Sequence, residues 1–314
     1  LIYSDEDKIN ERGIRQSPYF KPDWNLDLFM SQNIFSHLGV YKKDLVDSVG
    51  GFRIGFEGSQ DYDLALRCIE KVQSEQIFHI PRVLYHWRTH EDSTASALDN
   101  KPYAELTTKR ALDEHFERVG IDARADKVEY GFRVKYALPK ELPLVTLIIP
   151  TRNGLNLIRR CIDSIQNKTT YKNYEILIVD NGSDESDSIA YLDFLASQSA
   201  VRVLRDDRPF NFSALNNLAV DTANGQIVGL INNDTEVISP EWLTEMVSHA
   251  IRPGIGAVGA KLKYKDTDME IIYTRYENNI VGTAHYAEFP TLLKIICYGL
   301  KEILTQFLID AREH

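Results

Sequence analysis

The chain has 314 residues, enough for two domains, and its 43% hydrophobic and 26% charged residues are typical of a globular protein. A formal net charge of −10 argues against a general affinity for nucleic acid or anionic membranes, so we expect a small-molecule partner. The three cysteines are scattered and include no CxxC pair, which favours a reducing cytoplasm over a disulfide framework or a zinc site. No apolar run reaches the roughly 18 residues of a membrane span, so we expect no transmembrane segment.

The N-terminal stretch LIYSDEDKI places three acidic residues directly after an apolar segment. In an extended segment Asp5 and Asp7 lie on the same face and can share one cation, whereas Glu6 lies on the other face. A solvated charged turn has the same pattern, and short motifs often match by chance. The stretch alone leaves metal ligands and a charged turn as alternatives. Because it reads as part of a buried strand, we expect the chain to begin within a longer protein.

Residues 99–142 differ in pattern from the segments on either side. KPYAELTTKRALDEHFERVG has helical spacing with mixed charge, and VEYGFRVKYALPKELP is a short extended piece that ends at two prolines. We interpret this region as a helical and extended connector between domains.

From residue 143 the chain alternates between apolar strands and helices. PLVTLIIPTRNG predicts a buried strand and its turn, LNLIRRCIDSIQN a helix, and YEILIVDNGSDES a second strand. VRVLRD, NFSALNNLAVDTA and QIVGLINND continue the alternation to about residue 235. This order predicts an α/β fold with a doubly wound, mostly parallel sheet.

Polar residues follow these strands at their carboxyl ends, where ligands bind in such sheets: Thr151 to Asn153, Asp180 to Asp184, and Asn232 to Asp234. Neither GxGxxG nor GxxxxGK[ST] follows the first strand, which disfavours a dinucleotide site and a P-loop. A nucleotidyltransferase would have a glycine-rich basic loop there, and TRNGLNLIRR matches that poorly. The pattern favours a nucleotide base held near Asp180 and a metal-bound diphosphate near Asp234.

The last part of the chain, residues 266–314, ends in the apolar-striped segment LLKIICYGLKEILTQFL. Its spacing predicts an amphipathic helix with one apolar face, formed by Leu292, Ile296, Leu300, Ile303 and Phe307. Core packing is the favoured interpretation, and peripheral contact with a membrane is the alternative.

Four motifs in order, PTRNG, VDNGSDE, PFNFSALNN and LINNDTEV followed by PEWL, resemble the nucleotide-binding half of glycosyltransferase family 2, whose members have the GT-A fold. The resemblance implies that Asp180 accepts a hydrogen bond from a pyrimidine ring N–H of a UDP- or dTDP-sugar. Arg208 would approach the diphosphate, and Asp234 would be a weak metal ligand because its neighbours are asparagines. The implied nucleotide-binding residues are Pro150, Thr151, Arg152, Asn153, Asp180, Asn181, Gly182, Asn216, Asn232 and Asn233.

The opening YSDEDK similarly resembles the metal-binding DxD strand of a preceding copy of the fold. In that copy Asp5, Asp7 and His86 would bind Mg²⁺ or Mn²⁺. GGFRIGFEGSQDYDLALR resembles the segment that carries the catalytic base of the family, with Asp61 as the base. Gln60 stands where the family normally has glutamate, and Gln60 and Asp63 would support the loop.

The resemblance implies four regions: residues 1–98 as the acceptor-side half of a first GT-A domain, the connector 99–142, residues 143–265 as the nucleotide-binding half of a second, and the tail 266–314, which we expect to depart from the family. The implied reaction is inverting, metal-assisted sugar transfer to a glycan or lipid-linked glycan in cell-surface polysaccharide synthesis, in the cytoplasm or at the inner face of the membrane. A nucleotide-sugar-binding or scaffolding module without turnover stays open as the alternative.

Overall fold

The computed structural model describes residues 1–89, 102–128, 131–260, 262–263, 270–271 and 296–298. The chain divides into two compact units, Leu1–Ala137 and Leu138–His314. Within the described ranges, no helix is both long enough and apolar enough to cross a membrane.

The first unit is built around the strand that contains the acidic stretch. This strand, Ile2–Ile9, pairs antiparallel with Arg15–Tyr19 and Gly39–Val40 and parallel with Phe78–Arg88. The strands of this unit are β1 (Ile2–Ile9), β2 (Arg15–Tyr19), β3 (Gly39–Val40), β4 (Phe78–Arg88), β5 (Ala123–Val128) and β6 (Gly131–Tyr136). Its helices are α1 (Leu26–Ser31), α2 (Lys43–Ser48), α3 (Gln60–Ile69) and α4 (Pro102–Val119), with a 3-10 turn at Ser74–Gln76.

The core of the first unit includes the region interpreted as a connector. Helix α4 and the antiparallel β5–β6 hairpin lie between residues 99 and 142, as the helical and extended patterns predict. Their buried side chains pack with those of β1, α1 and α3 in one cluster, to which the region contributes Ala111, Leu112, Phe116, Ala125, Phe132 and Val134. Residues 102–128 and 131–136 are therefore part of a folded unit, whereas residues 99–101 and 129–130 lie outside the described ranges.

The second unit has the α/β architecture that the sequence predicts. The strands of its six-stranded sheet are β7 (Val145–Thr151), β8 (Tyr174–Asp180), β9 (Val201–Arg205), β10 (Ile227–Leu230), β11 (Ala257–Gly259) and β14 (Ile296–Tyr298), and a separate pair consists of β12 (Leu262–Lys263) and β13 (Glu270–Ile271). The sheet has the order β11-β14-β10-β7-β8-β9, in which β10, β7, β8 and β9 are parallel neighbours. The helices are α5 (Leu155–Lys168), α6 (Ser186–Ala196), α7 (Phe212–Thr222) and α8 (Trp242–Ala250).

Alternating side chains of β7 explain why its sequence is continuously apolar. Leu147 and Ile149 pack in one cluster with buried residues of α5, α6 and α8, whereas Ile148 packs in another with residues of α7. Both faces of the sheet are thus covered by helices, which buries every residue from Val145 to Ile149. Asn153 and Gly154 have left-handed φ values of 52° and 65° and turn the chain from β7 into α5.

The tail differs from its prediction where the structure describes it. Ile296–Tyr298 is a strand that pairs antiparallel with β10 and β11, not part of a helix. The open edge of β10 supplies backbone hydrogen bonds to this segment, and such tertiary pairing overrides a local helical pattern. The rest of the predicted amphipathic helix lies outside the described residues.

Candidate functional site

Three residues form a row at the carboxyl edge of the second unit's sheet. Thr151 is the register partner of Asp180, and Asp180 is the register partner of Arg205. Asp180 is buried; its Oδ1 accepts a hydrogen bond from Ser183 N over 2.9 Å, and its Oδ2 accepts one from Arg205 Nη1 over 3.0 Å. Arg205 also donates to Asp207 Oδ1 over 2.8 Å and to the Ser183 carbonyl over 3.2 Å.

Asn153 joins the loop after β7 to the loop after β8. Its Oδ1 accepts hydrogen bonds from the backbone amides of Asp184 and Glu185, and its Nδ2 donates to Asp184 Oδ1 over 2.7 Å. Arg152 Nη2 lies 3.8 Å from Asp184 Oδ2, at the edge of an ion pair. Gly182 has a left-handed φ of 69°, and a Cβ on it would lie 3.3 Å from Asp207 Oδ1. Hydrogen bonds therefore connect the loop after β7 to the loop after β8, both of which are expected to bind the nucleotide.

Asn181 and Arg208 fix the segment after β9. The side-chain Nδ2 of Asn181 donates hydrogen bonds to the backbone carbonyls of Asp206 and Arg208, each over 2.8 Å. The guanidinium of Arg208 donates two hydrogen bonds to the Asp206 carboxylate, over 2.8 and 2.6 Å. Arg208 thus has an internal carboxylate partner, while 63% of its side chain is exposed at this edge.

The loop that contains Asn232, Asn233 and Asp234 is held by α5. Ser164 Oγ accepts the Val237 amide over 3.0 Å, and Lys168 Nζ donates to the Val237 carbonyl over 2.7 Å. Asn233 Nδ2 donates to Thr151 Oγ1 over 2.9 Å, which connects this loop to the row, and Asp234 is exposed.

Asn216 differs from the other expected nucleotide-binding residues in its burial. It is fully buried in α7, and its Nδ2 donates to the Phe212 carbonyl over 2.7 Å. Its Oδ1 has no hydrogen-bond partner within the described part of the chain. Asn216 is one of the expected nucleotide-binding residues, and in the described structure its side chain has no surface that a ligand could contact.

In the first unit, Asp5 is buried and contacts the backbone and a histidine. Its Oδ1 accepts the Lys21 amide over 2.9 Å and lies 2.8 Å from His79 Nε2. The other ring nitrogen of His79 lies 3.2 Å from Asp23 Oδ1. The imidazole of His79 therefore lies between two carboxylates.

Asp7, on the same strand, has a different pair of partners. Its Oδ1 lies 2.5 Å from His86 Nδ1, and its Oδ2 accepts a hydrogen bond from Arg15 Nε over 2.5 Å. Burial alone would raise the pKa of Asp7, but the hydrogen bonds with His86 and Arg15 outweigh burial and hold that pKa below its ordinary value. The carboxylate is therefore ionised and already paired.

These residues fit a divalent cation in the type of donor but not in their arrangement. Carboxylate oxygens with one imidazole suit Mg²⁺ or Mn²⁺. In the described ranges, however, no three His, Cys, Asp or Glu side chains are grouped so that they could hold a metal ion. Asp5 pairs with His79 and Asp7 with His86, because the parallel pairing of β1 and β4 brings a separate histidine to each carboxylate.

Asp61 and Asp63 lie in the first turn of α3 and differ in their surroundings. Asp61 is exposed, and its Oδ2 accepts a hydrogen bond from Asn33 Nδ2 over 3.0 Å. Asp63 is fully buried and forms ion pairs with Arg53 and Arg67. Arg67 in turn donates to the carbonyls of Val49 and Gly51, over 2.6 and 2.7 Å. Gln60 Oε1 accepts a hydrogen bond from the Gly58 backbone amide over 2.7 Å. Gln60 therefore contacts the loop before α3 directly, and Asp63 contacts it through Arg53 and Arg67.

A comparison with protein families identifies the chain. The model described as "Glycosyl transferase family 2" matches residues 146–304, just over half of the sequence. The chain belongs to glycosyl transferase family 2. The match runs to residue 304 and so includes part of the tail.

Two relatives from bacteria match most of the chain. Protein y4gI of Sinorhizobium fredii is 51% identical over 270 residues, and the O-antigen biosynthesis protein RfbC of Myxococcus xanthus is 36% identical over 291 residues. These alignments cover 85% and 92% of the chain but only 30% and 22% of the two relatives. The chain thus spans less than a third of the length of either protein.

Among solved structures, the mannosyltransferase PcManGT from Pyrobaculum calidifontis, in complex with GDP-Man and Mn²⁺, is similar to part of the chain. The identity is 24%, the TM-score 0.35, and the match covers 38% of this chain and 36% of that one. GalNAc-T7 with UDP, GalNAc and Mn²⁺ matches with 21% identity and a TM-score of 0.31, over 34% of this chain and 20% of its own.

Three residues of these sites were missed by sequence reasoning. Arg205 is the last residue of β9 and the fifth of the predicted segment VRVLRD, so its position beside Asp180 could have been inferred from the strand order. His79 and Arg15 give no local signal. His79 reaches Asp5 from 74 residues away through the pairing of β4 with β1, and Arg15 reaches Asp7 through the β1–β2 hairpin.

Proposed function

We propose that the second unit binds the nucleotide of a sugar donor and that the chain is part of a glycosyltransferase. The observation that carries this proposal is the row Thr151, Asp180 and Arg205 at the carboxyl edge of a parallel sheet. Doubly wound sheets bind their ligands at this edge. Side-chain hydrogen bonds connect the loops that follow β7, β8 and β10 at this edge, and these bonds hold the polar groups of the loops in fixed positions.

The donor proposed for this site is a UDP- or dTDP-sugar. Asp180 accepts hydrogen bonds at both of its oxygens, and a carboxylate suits the ring N–H of uracil or thymine. Arg152 and Arg208, both mostly exposed, provide positive charge for the diphosphate, with Asn232 and Asn233 nearby. The name of the M. xanthus relative supports a glycan of a cell-surface polysaccharide as the acceptor.

The proposed reaction is a single displacement with inversion. The acceptor hydroxyl oxygen attacks the anomeric carbon, the bond from that carbon to the diphosphate oxygen breaks, and the diphosphate leaves with the electron pair. Asp61 takes the hydroxyl proton, which its exposed position in the first turn of α3 supports. Asp61 is proposed as the base of a first copy of the fold, whose acceptor-side half is residues 1–98. The nucleotide-binding half formed by residues 143–265 belongs to a second copy, and no transfer between the two halves is proposed.

Metal assistance is proposed separately for the two units, with Asp5, Asp7 and His86 as ligands of Mg²⁺ or Mn²⁺ in the first and Asp234 as a weaker ligand in the second. A bound cation would neutralise charge on the leaving diphosphate. Because Arg15 is paired with Asp7, a cation would have to compete with the guanidinium for that carboxylate.

Calorimetry with the 314-residue chain tests the donor assignment. UDP and dTDP should bind at least about tenfold more tightly than ADP or GDP, since each matched polar contact is worth roughly 1 kcal/mol or more. Asp180→Ala should remove this preference. Asp187→Ala, which changes an exposed aspartate in α6, is the matched control. Equal binding of all four nucleotides, or unchanged binding by Asp180→Ala, would contradict the proposal.

A module that binds a nucleotide sugar without transferring it is the second candidate. The ion pair between Arg15 and Asp7 favours it, because a guanidinium on a metal-ligand carboxylate opposes cation binding. Incubating the full-length protein with UDP- and dTDP-hexoses and Mn²⁺ separates the two candidates. Release of free nucleotide supports a transferase site, whereas saturable binding without release supports the binding module.

A further inference from the structure

We propose that Asn33 is a positioning residue for Asp61, and that it selects Oδ1 of this aspartate as the atom that takes the proton of the acceptor. The inference rests on the proposed function, in which Asp61 is the base of a first copy of the fold. It adds to that role a residue from outside α3, and it distinguishes the two oxygens of one carboxylate.

Two hydrogen bonds fix the direction of the Asn33 side chain. Its Oδ1 accepts a hydrogen bond from the Phe35 backbone amide over 3.1 Å, and its Nδ2 donates to Asp61 Oδ2 over 3.0 Å. An amide oxygen only accepts hydrogen bonds and an amide nitrogen only donates them. A flipped side chain would lose both contacts, because its nitrogen would face the Phe35 N–H and its oxygen the carboxylate. The contacts therefore define one orientation of the amide.

Packing in the core of the first unit fixes the distance between the two side chains. Ile34, directly after Asn33, is fully buried in this core. Tyr62, directly after Asp61, is also buried, and its hydroxyl donates a hydrogen bond to the carbonyl of Phe29 in α1. The rings of Phe29 and Tyr62 contact each other edge to face, with their centroids 5.1 Å apart. The backbone on both sides of the hydrogen bond is thus held by the packing of α1 against α3.

The contact with Asn33 leaves one oxygen of Asp61 for an acceptor. Asp61 is exposed, and in the described part of the chain its Oδ1 accepts no hydrogen bond, whereas Oδ2 is occupied by Asn33. In the proposed reaction the hydroxyl proton moves to Oδ1. The electron pair of the broken O–H bond stays on the acceptor oxygen, which attacks the anomeric carbon. A base held in one orientation does not have to be ordered at the moment of transfer.

The neighbouring carboxylate of Asp63 shows why a neutral amide suits this role. Both oxygens of Asp63 accept hydrogen bonds from guanidinium groups, those of Arg53 and Arg67. Burial would raise the pKa of Asp63, but these hydrogen bonds outweigh burial and hold that pKa below its ordinary value. A carboxylate paired with cations is a weaker base. Asn33 orients Asp61 without placing a positive charge on it.

Steady-state kinetics of the full-length protein with UDP- and dTDP-hexoses and Mn²⁺ tests the inference. Asn33→Asp keeps an oxygen for the Phe35 amide but loses the donor to Asp61, so it separates support of the loop from positioning of the base. It should lower turnover about tenfold or more and leave KM for the donor unchanged, since a hydrogen bond to a charged group is lost. Gln32→Ala is the matched control, because this exposed neighbour donates to the Tyr19 hydroxyl instead and should leave turnover unchanged.

A double-mutant cycle distinguishes failure of the inference from failure of the proposed function. Asn33→Ala should lower turnover about tenfold in the wild type but less than about twofold in Asp61→Asn, because Asn33 acts through Asp61. Tenfold losses in both backgrounds would assign Asn33 to the structure of the loop and would overturn the inference, with Asp61 still the base. Unchanged turnover in Asn33→Asp and Asn33→Ala would overturn it as well. Unchanged turnover in Asp61→Asn alone would overturn the proposed base and the inference with it.

Heteronuclear NMR of the 314-residue chain tests the contact without any substrate. The side-chain amide signals of Asn33 should shift in Asp61→Ala, since the carboxylate that accepts its hydrogen bond is removed. The side-chain amide of Gln166, which donates to Gln198 in the second unit, is the internal control and should not shift. Unchanged Asn33 signals in Asp61→Ala would overturn the inference, whatever the kinetics of the full-length protein.

Discussion

Asn153 and Asp184 are joined by two reciprocal hydrogen bonds across neighbouring loops. Asn153 Nδ2 donates to Asp184 Oδ1 over 2.7 Å, and the Asp184 amide donates to Asn153 Oδ1 over 2.9 Å. The first of these bonds is the main cause that lowers the pKa of Asp184. Since Asn153 follows β7 and Asp184 follows β8, this pair ties together two loops of the proposed nucleotide site.

Replacing Asn153 should loosen the loop after β8 without unfolding the sheet. Asn153→Gly preserves the left-handed φ of 52° but removes the side-chain hydrogen bonds, whereas Asn153→Ala also strains the backbone. Amide hydrogen exchange at Asp184 and Glu185 should accelerate about tenfold or more in the glycine variant, since each lost bond is worth roughly 1 kcal/mol. The amide of Ile178 in β8 is the internal control. Unchanged exchange at Asp184 would show that Asn153 does not hold this loop.

Glu70 should make the first unit sensitive to acid. Burial would raise its pKa, but hydrogen bonds from His115 and Arg118 outweigh burial and lower the pKa to about 2, from an ordinary 4.5. A lowered pKa in the folded state means that this stabilisation is complete above pH 4.5 and is lost as the pH falls towards 2. At neutral pH the full shift would correspond to roughly 3 kcal/mol, and solvent screening of this partly exposed pair reduces the contribution to about 1–2 kcal/mol.

Urea denaturation of the wild type and of Glu70→Gln between pH 7 and pH 2 tests this expectation. The difference in unfolding free energy should be largest at neutral pH and should shrink below pH 4.5. Glu117→Gln, which changes an exposed residue of α4, should give no such pH-dependent difference. A difference between wild type and Glu70→Gln that stays constant over the whole range would argue against the assigned pKa of Glu70.

The fold of the second unit could be predicted because its signals are local. The apolar run of β7, the Asn153–Gly154 turn and the spacing of α5 each occur within about 25 residues. The order of the strands then follows from the rules for parallel α/β sheets, and it places Thr151 and Asp180 at the same edge. The strand at Ile296–Tyr298 was not predictable, because its pairing with β10 spans more than 60 residues.

The acidic site of the first unit could be predicted only in part, for the same reason. Alternation along β1 puts Asp5 and Asp7 on one face of the strand, and the structure adds that both are buried. Their partners His79 and Arg15 depend on which strands pair with β1 and in which register. That register is set by the packing of the whole unit, and the sequence near the acidic stretch contains no trace of it.

Removing Arg15 should favour cation binding at Asp7. Because Arg15 Nε donates to Asp7 Oδ2 over 2.5 Å, a cation at this carboxylate has to displace the guanidinium. Arg15→Ala should tighten Mn²⁺ binding by about tenfold, the value of one charged hydrogen bond, and Asp7→Asn should weaken it. Water proton relaxation measures both affinities, and Arg12→Ala, in the same hairpin, is the control. If neither variant changed Mn²⁺ binding, Asp7 would not be a metal ligand.

Substitutions of Asp61 and Asp63, two residues apart in α3, should have different effects: loss of Asp63 should lower stability, and loss of Asp61 should lower catalysis. Asp63→Asn leaves Arg53 and Arg67 without their shared buried carboxylate and should destabilise the first unit by about 3–5 kcal/mol, as measured by urea denaturation. Asp61→Asn removes an exposed charge and should change stability by less than about 0.5 kcal/mol.

Where sugar transfer is measured, Asp61→Asn should lower turnover roughly a hundredfold and leave donor affinity unchanged, because a general base acts only in the transition state. Equal losses of turnover and donor affinity in Asp61→Asn would instead assign Asp61 to the support of the loop, a role that the pairing of Asp63 with Arg67 already fills.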